Sequence, residues 1–248
     1  DSEKEEEKLK FSLSKGSSSE NAGETITLTA TTKDAVTADT TINLSFGGTA
    51  LKATDYSFSQ NYITISSGSV SGSHSFTITD DNIYEGNETI IITTSTISGD
   101  AVYENVSAST TFTINENENA PTVTLTSSAS SVAENGSALT LTATLSGTTD
   151  EDVTVSLSTS GTGTEGTDYS NISDITISAG ATTGTVSFTP TEDSMYEGNE
   201  TAIVAIDTVS GGSATENDTQ VVTITITNNG PTVTLTSSAS SIAENSGS

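Results

Sequence analysis

Apolar and polar residues alternate along most of this 248-residue chain. Such alternation with a period of two is typical of half-buried β-strands, and here clusters of Gly, Asn, Asp and Ser separate the segments. In the second half it runs through Leu139–Leu145, Val153–Leu157, Ile175–Ile177 and on to Ile226, after a leading segment at Thr122–Thr126. About seven short strands in each half predict an all-β fold of tandem immunoglobulin-like antiparallel β-sandwiches. The segments of the first half are Thr25–Thr31, Thr41–Phe46, Tyr62–Ile65, Ser75–Ile78, Thr89–Thr93 and Thr110–Ile114.

Two strings of the sequence occur twice. PTVTLTSSASSVAEN at Pro121–Asn135 returns at Pro231–Asn245 with one change, 110 residues later. DDNIYEGNET at Asp80–Thr89 returns as EDSMYEGNET at Glu192–Thr201. A period of this length fits one small β domain per repeat. We predict an acidic tail at residues 1–8, domains at 9–119 and 120–230, and the first strand of a truncated third repeat at 231–248.

The charge of the chain is strongly negative. Thirty-three Asp and Glu residues stand against six Lys and Arg, for a formal net charge of −27. Such a surface opposes phosphate backbones and anionic membranes, so we expect neither nucleic acid nor membrane insertion. The chain has no cysteine, which excludes disulfides and thiolate metal sites. The composition favours an extracellular or cell-surface protein, and the run DSEKEEEK resembles the stretch after a lipidated cysteine, which would place an anchor upstream of residue 1.

The duplicated acidic string is the strongest chemical signal. Asp80, Asp81, Glu85 and Glu88 fall within nine residues, and no Lys or Arg is near them in sequence. Crowded carboxylates repel one another unless a cation lies between them, and Ca²⁺ accepts six to eight oxygen ligands in a flexible shell. The second copy keeps an acid at all four positions, namely Glu192, Asp193, Glu197 and Glu200. The pattern predicts a calcium site in each repeat, with a solvated acidic loop as the alternative.

These strings together resemble the Calx-beta domain. The resemblance rests on the acidic string, on GTALKATDY at Gly48–Tyr56 and GTGTEGTDY at Gly161–Tyr169, and on the turns SENAG at Ser19–Gly23 and AENG at Ala133–Gly136. It covers nearly the whole chain and implies a calcium-binding β-sandwich in each repeat. It also implies these calcium ligands, with Ile83 and Met195 acting through their main-chain carbonyls: Glu20, Asp80, Asp81, Ile83, Glu85, Glu88, Glu116, Glu118, Glu134, Glu192, Asp193, Met195, Glu197 and Glu200.

The chain departs from the family pattern at two places. Gly47 and Ser160 stand where calcium-binding members have an acid before the GT pair. The acidic run that closes the first repeat, with Glu116 and Glu118, is replaced by NNG at residues 228–230 in the second. The resemblance therefore implies one or two ions in a repeat and weaker binding in the second.

The repeated TDY strings have a structural explanation. We expect Tyr56 and Tyr169 to pack in the core, and Asp55 and Asp168 to hydrogen-bond a loop. Tyr84 and its counterpart in the second repeat are expected at or near the core. The sequence has no nucleophile elbow, phosphate loop or zinc spacing, so we predict no enzyme activity.

Three functions remain open at this point. The favoured one is a calcium-binding structural or adhesive module of a repetitive surface protein, in which calcium stiffens the loops and the joints between neighbouring repeats of the same chain. The alternative is an adhesin domain that binds a carbohydrate or protein on a host or neighbouring cell without metal. An intracellular calcium sensor is the third.

Overall fold

The computed structural model describes residues 8–101, 103, 106–193, 195–230 and 233–238. Within these residues the chain forms twenty β-strands and one 3-10 turn at Glu20–Ala22. In repeat 1 the strands are β1 Leu9–Leu13, β2 Ser17–Ser19, β3 Thr25–Thr32, β4 Thr40–Gly48, β5 Tyr56–Phe58, β6 Tyr62–Ile65, β7 Ser71–Ile78, β8 Ile83–Tyr84, β9 Glu88–Ser98 and β10 Ser109–Asn115. In repeat 2 they are β11 Thr122–Ser127, β12 Ser131–Ala133, β13 Leu139–Leu145, β14 Thr148–Thr149, β15 Val153–Gly161, β16 Ile175–Ile177, β17 Thr183–Phe188, β18 Glu200–Ser210, β19 Thr215–Glu216 and β20 Val221–Thr227.

Each repeat is a sandwich of a four-stranded and a five-stranded sheet. In repeat 1 the strand orders are β1-β3-β7-β5 and β2-β10-β9-β4-β6, and in repeat 2 they are β17-β13-β11-β19 and β12-β20-β18-β15-β16. Alternate residues point into a separate hydrophobic core in each repeat, as the burial pattern of β3 illustrates with Ile26, Leu28 and Ala30. The all-β prediction of tandem immunoglobulin-like sandwiches is confirmed.

The structure has more strands than the seven per repeat that alternation predicts. The additional ones are short, such as β2 with three serines, and they are too brief to show a period of two. Most pairs are antiparallel, but β2 pairs in parallel with β10 and β12 pairs in parallel with β20. The first strand of each repeat is thus divided between the two sheets, because its initial part, β1 or β11, pairs with the opposite sheet.

The joint between the repeats contains a small sheet of its own. β8, in the acidic loop of repeat 1, pairs in parallel with β14 of repeat 2, in the register Ile83↔Thr148 and Tyr84↔Thr149. The Thr148 hydroxyl donates a hydrogen bond to the Asn82 carbonyl at 3.0 Å. The acidic loop is therefore built into the contact between the two sandwiches.

The core tyrosines are placed as expected, and one other tyrosine is not. Tyr56 and Tyr169 are buried and pack against Phe76 and Phe188 respectively. Tyr84 is half-buried at the joint. The expectation that Tyr196 lies at or near the core is wrong, because 68% of its surface is exposed.

The predicted acidic tail lies outside the described residues except for Lys8. The predicted strand of a third repeat lies partly outside them. Residues 233–238 are described and form no strand, and Val233 and Leu235 are exposed there. None of the helical segments in the described part of the chain has the length and apolar content needed to cross a membrane.

Candidate metal centre

Strand register brings the acidic residues of repeat 1 to one end of the sandwich. The parallel pair Ser19↔Asn115 places Glu20, the residue after β2, beside Glu116, the residue after β10. The antiparallel pair Glu88↔Ile114 starts β9 at the same end. β5 and β7 meet at Tyr56↔Ile78, so Asp55 lies next to the start of the acidic loop, where Thr79 donates its N–H to the Asp55 carbonyl at 2.8 Å.

Three groups of carboxylates form where these strand ends meet. Within each group, one oxygen from every member lies within 4.8 Å of the others. Glu20 and Asp55 are the innermost members, with 3% and 2% of their surfaces exposed. The outer group consists of Glu20, Asp81 and Glu85, and the inner group consists of Asp55, Glu85 and Glu88, so Glu85 belongs to both. The third group consists of Glu20, Glu116 and Glu118.

Glu116 organises the loop around it. One of its carboxylate oxygens accepts the backbone N–H groups of Glu85 at 2.6 Å and Gly86 at 2.9 Å. The other accepts those of Asn117 at 2.8 Å and Glu118 at 2.9 Å. Burial acts to raise the pKa of Glu116, but these backbone hydrogen bonds outweigh it and the pKa lies below its usual value. Glu116 thus stays ionised and ties the acidic loop to the end of β10.

Three other glutamates of repeat 1, Glu20, Glu85 and Glu88, hold protons more tightly than usual. Burial, followed by the charges of Glu116 and Asp81, raises the pKa of Glu20 from 4.5 to about 7. Burial, followed by the charges of Asp55 and Asp81, raises the pKa of Glu85 to about 7. For Glu88, burial and then the charges of Asp55 and Glu85 raise it to about 8. The site is therefore electrostatically strained whenever all of its carboxylates are ionised.

The residues fit a hard, oxygen-seeking cation. Two buried carboxylate oxygens, Oδ1 of Asp55 and Oε2 of Glu118, have no hydrogen-bond partner among the described residues. An uncompensated buried carboxylate is costly, so such atoms are expected to have a counter-charge. The last basic residue of the chain is Lys52, so the acidic loop, the end of β10 and all of repeat 2 contain no Lys or Arg. Carboxylate and carbonyl oxygens without sulfur or imidazole suit Ca²⁺.

The structure separates the two predicted acids of each adjacent pair. Asp81 joins the outer group, and its Oδ1 accepts the N–H of Ile83 at 2.7 Å, which folds the loop into a turn. Asp80 is exposed and belongs to none of the groups found in the described residues. In repeat 2, Asp193 joins a group and Glu192 does not. Ile83, a predicted carbonyl ligand, lies in β8 at the joint.

Repeat 2 repeats the arrangement with more exposure. Its two groups are Glu134 with Asp193 and Glu197, and Asp168 with Glu197 and Glu200. Only Glu134 is buried, with 6% of its surface exposed, whereas Asp193 and Glu197 lie open to solvent. Burial, followed by the charge of Asp193 for Glu197 and that of Asp168 for Glu200, raises the pKa of both glutamates. These shifts are screened by water more than those of repeat 1.

Asn228 changes the chemistry of repeat 2, where it takes the place of Glu116. Its side-chain N–H₂ donates to Oε2 of Glu134 at 2.9 Å and to the carbonyl of Met195 at 3.3 Å. Both acceptors are predicted calcium ligands, so the amide occupies oxygens that a cation would use. The neighbouring Asn229 likewise donates to Glu192 at 3.0 Å. Amide donors therefore stand in repeat 2 where repeat 1 has acids, and the weaker binding of the second site stays a prediction.

Sequence reasoning missed two acids of these groups and the charge of a third acid near them. Asp55 and Asp168 do hydrogen-bond a loop, as expected, because one oxygen of each accepts an N–H, from Leu51 at 2.5 Å and Thr164 at 2.6 Å. Their membership of the carboxylate groups, Asp55 in the inner group and Asp168 with Glu197 and Glu200, was not expected. Asp150 of repeat 2 lies close enough to repeat 1 that its charge adds to the raised pKa of Glu85. The repeated TDY string was the available signal for the first two, and nothing local marked Asp150.

Comparison with known proteins shows the family to which the chain belongs. A model of the Calx-beta domain matches residues 3–118 and again 116–230. Among solved structures, that of CBD12 from CALX1.2 is 15% identical, has a TM-score of 0.37, and matches over 88% of this chain and 99% of that one. The apo form of the Calx CBD1 domain is 16% identical, has a TM-score of 0.40, and covers 45% of this chain and 100% of its own. No curated protein sequence matches the chain.

Proposed function

Since this chain belongs to the Calx-beta domain family, we propose that it is a calcium-binding structural module of a repetitive extracellular surface protein. Calcium would neutralise the acidic end of each sandwich and stiffen both the loops and the joint between repeats. The family consists of calcium-binding-type modules, present here in tandem, and is not a known enzyme family.

The observation that carries this proposal is the pair of buried, uncompensated acids in repeat 1. Glu20 and Asp55 are almost completely shielded from water, yet Glu20 lies in two of the carboxylate groups and Asp55 lies in the third. A protein normally avoids such an arrangement by pairing or protonating the acid. A bound divalent cation removes the repulsion and uses the free oxygen of Asp55.

Repeat 1 offers two cation positions that share one ligand. The outer group would hold one ion and the inner group another, with Glu85 bridging them. Glu116 would contribute mainly charge and loop geometry, because each of its oxygens already accepts two backbone N–H groups. Calcium supplies positive charge here, and the chain supplies the oxygens and the rigid strand ends that hold them.

Ordering of the acidic loop would also order the joint. β8 belongs to this loop and pairs with β14 of repeat 2, while the charge of Asp150 acts on Glu85 across the same joint. An ion bound beside Glu85 would therefore restrict both the loop and the angle between the repeats. This effect requires no contact other than those already present around Ile83 and Thr148.

The extracellular location is part of the proposal and rests on chemistry. Extracellular calcium modules work with dissociation constants of about 10⁻⁴–10⁻³ M, which suits the exposed and amide-blocked site of repeat 2. Protease treatment of intact source cells tests it. Loss of the chain from intact cells is expected, and survival until the cells are lysed would contradict a surface location.

Thermal unfolding tests the calcium proposal with a matched pair of variants. At a hundredfold excess over its dissociation constant, an ion that binds only the folded state adds about 2.7 kcal/mol. We expect millimolar Ca²⁺ to raise the melting temperature above that in chelator, and Mg²⁺ to do so less. Asp81→Asn keeps the acceptor for the Ile83 N–H but removes a charge from the outer group, so it should reduce the calcium-induced rise.

Asp80→Asn is the control, because Asp80 is the adjacent acid and lies outside the groups. It should leave most of the rise intact. Equal melting temperatures in chelator and in millimolar Ca²⁺ would refute the proposal. Equal effects of the two variants would show that the calcium-induced rise in melting temperature depends on the net charge of the chain and not on these carboxylate groups.

A further inference from the structure

The acidic loop of repeat 2 has an exposed edge that repeat 1 keeps covered. In repeat 1, Ile83 and Tyr84 are half-buried because β14 of the next sandwich pairs with them. Their counterparts Met195 and Tyr196 are 64% and 68% exposed, and they form no strand. Two adjacent large side chains with this exposure are unusual in a chain that buries most of its apolar residues.

The exposed edge already has the local shape of the covered one. The N–H of Met195 donates to Oδ1 of Asp193 at 2.7 Å, and the N–H of Ile83 donates to Oδ1 of Asp81 at the same distance. The turn that presents the edge is therefore formed without any partner. The Tyr196 ring lies at the end of repeat 2, where a side chain at Gly230 would meet it at 3.3 Å.

The covering segment is likewise held in place by its own sandwich. Thr149 of β14 is buried, and its carbonyl accepts the N–H of Gly180 at 2.8 Å. Thr148, beside it, is then free to donate its hydroxyl across the joint to Asn82. A Calx-beta repeat of this kind thus has a docking turn near its start and a receiving edge in its acidic loop.

We infer that the Met195–Tyr196 edge is the docking site for the next Calx-beta repeat, whose turn corresponding to Thr148–Thr149 pairs with it in parallel. The occupant follows from the sequence, because Pro231–Asn245 repeats Pro121–Asn135 and so begins another sandwich. The connection into it, Asn228–Gly230, is shorter than Glu116–Ala120 and keeps that sandwich close to the edge. Repeats of this chain would then stack through one recurring two-residue ladder.

The inference rests on the tandem arrangement that the proposed function assumes, and it does not require calcium. The test therefore compares two chains in chelator. One is the 248-residue protein, and the other continues from Gly230 with a second copy of residues 121–230. Amide hydrogen exchange is measured on the peptide that contains Met195 and Tyr196. The added copy carries Met195→Leu, so that the two copies of this peptide differ in mass, and the peptide around Ile83 and Tyr84 is the internal reference.

We expect exchange at Met195–Tyr196 to slow by about tenfold or more in the longer chain, and the reference peptide to be equally protected in both. Thr148→Pro, placed only in the added copy, should abolish the new protection, whereas Thr148→Val should keep the backbone pairing. Unchanged exchange in the longer chain would overturn the inference. Protection that appears in the 248-residue chain as its concentration rises would also overturn it, because a second copy would then be the occupant.

Discussion

Binding of calcium to repeat 1 should release protons at neutral pH. Cation binding requires ionised carboxylates, and the structure raises the pKa of Glu20 and Glu85 to about 7 and that of Glu88 to about 8. At pH 7 the first two are about half protonated and the third about nine-tenths protonated, so full loading should displace about two protons. At pH 9 nearly all three are ionised, and release should fall close to zero.

Calorimetry in buffers of different ionisation enthalpy measures this number directly. The slope of the observed binding enthalpy against the buffer's ionisation enthalpy gives the protons released per binding event. The affinity should change in parallel. The number of displaced protons rises from about two at pH 7 to nearly three at pH 6, so binding should weaken by about three-hundredfold over that interval. Glu85→Gln should lower the release at pH 7 by about half a proton, besides weakening both cation positions.

A zero slope at pH 7, together with tight calcium binding, would refute the reasoning. It would mean that calcium binds elsewhere, or that the clustered carboxylates of repeat 1 are already ionised without it. A slope of the same size at pH 9 would also contradict the assignment, since carboxyls with the stated pKa values have no protons left to lose there.

Three further predictions follow from other features of the chain. In chelator, urea unfolding should show stability falling as the pH rises from about 5 to about 8, because carboxyls with raised pKa bind protons more tightly in the folded chain than in the unfolded one. Asn228→Glu removes the amide that donates to Glu134, so calorimetry should show tighter calcium binding by repeat 2, by about tenfold; unchanged binding would contradict the role given to this amide. Gly48→Ala should cost about 2–4 kcal/mol in urea unfolding, because the backbone φ is +106° and the new Cβ would lie 2.0 Å from the Thr89 carbonyl oxygen. Gly47→Ala, with open space around it, is the control and should cost far less.

The sequence predicted the sandwiches well because the alternation that identifies a strand lies within the strand itself. Alternation along β3 or β13 depends only on neighbouring residues, and each burial pattern follows it closely. β2 is different, since three consecutive serines carry no alternation. Its parallel pairing with β10 is a contact between residues far apart in sequence, and that pairing is what brings Glu20 to Glu116.

The composition of the site was predictable in part. The duplicated acidic string and the family resemblance indicated Asp81, Glu85 and Glu88, which the structure does bring together with other acids. They could not separate Asp81 from Asp80, because that distinction depends on which way a turn directs each side chain. Nor could they find Asp55, whose hydrogen bond to a loop accounts for only one of its two oxygens.

The misplaced tyrosine has a different cause. Tyr84 and Tyr196 occupy identical positions in the two acidic strings, so a sequence pattern assigns them the same environment. In the structure Tyr84 is half-buried where β8 pairs with β14 of the following sandwich, whereas Tyr196 pairs with no strand in the described residues. Burial at this position is a property of the assembly of repeats and is absent from the string itself.

The exchange of Glu116 for Asn228 has a consequence for any longer array built from these two units. The Asn228 amide adds no charge to its site, whereas the Glu116 carboxylate adds a negative charge that raises the pKa of Glu20 beside it and that a bound cation would offset. An array with both kinds of unit would soften only at its carboxylate joints when calcium is withdrawn. The flexibility of each joint would be set by whether a carboxylate or an amide follows the last strand of the repeat before it.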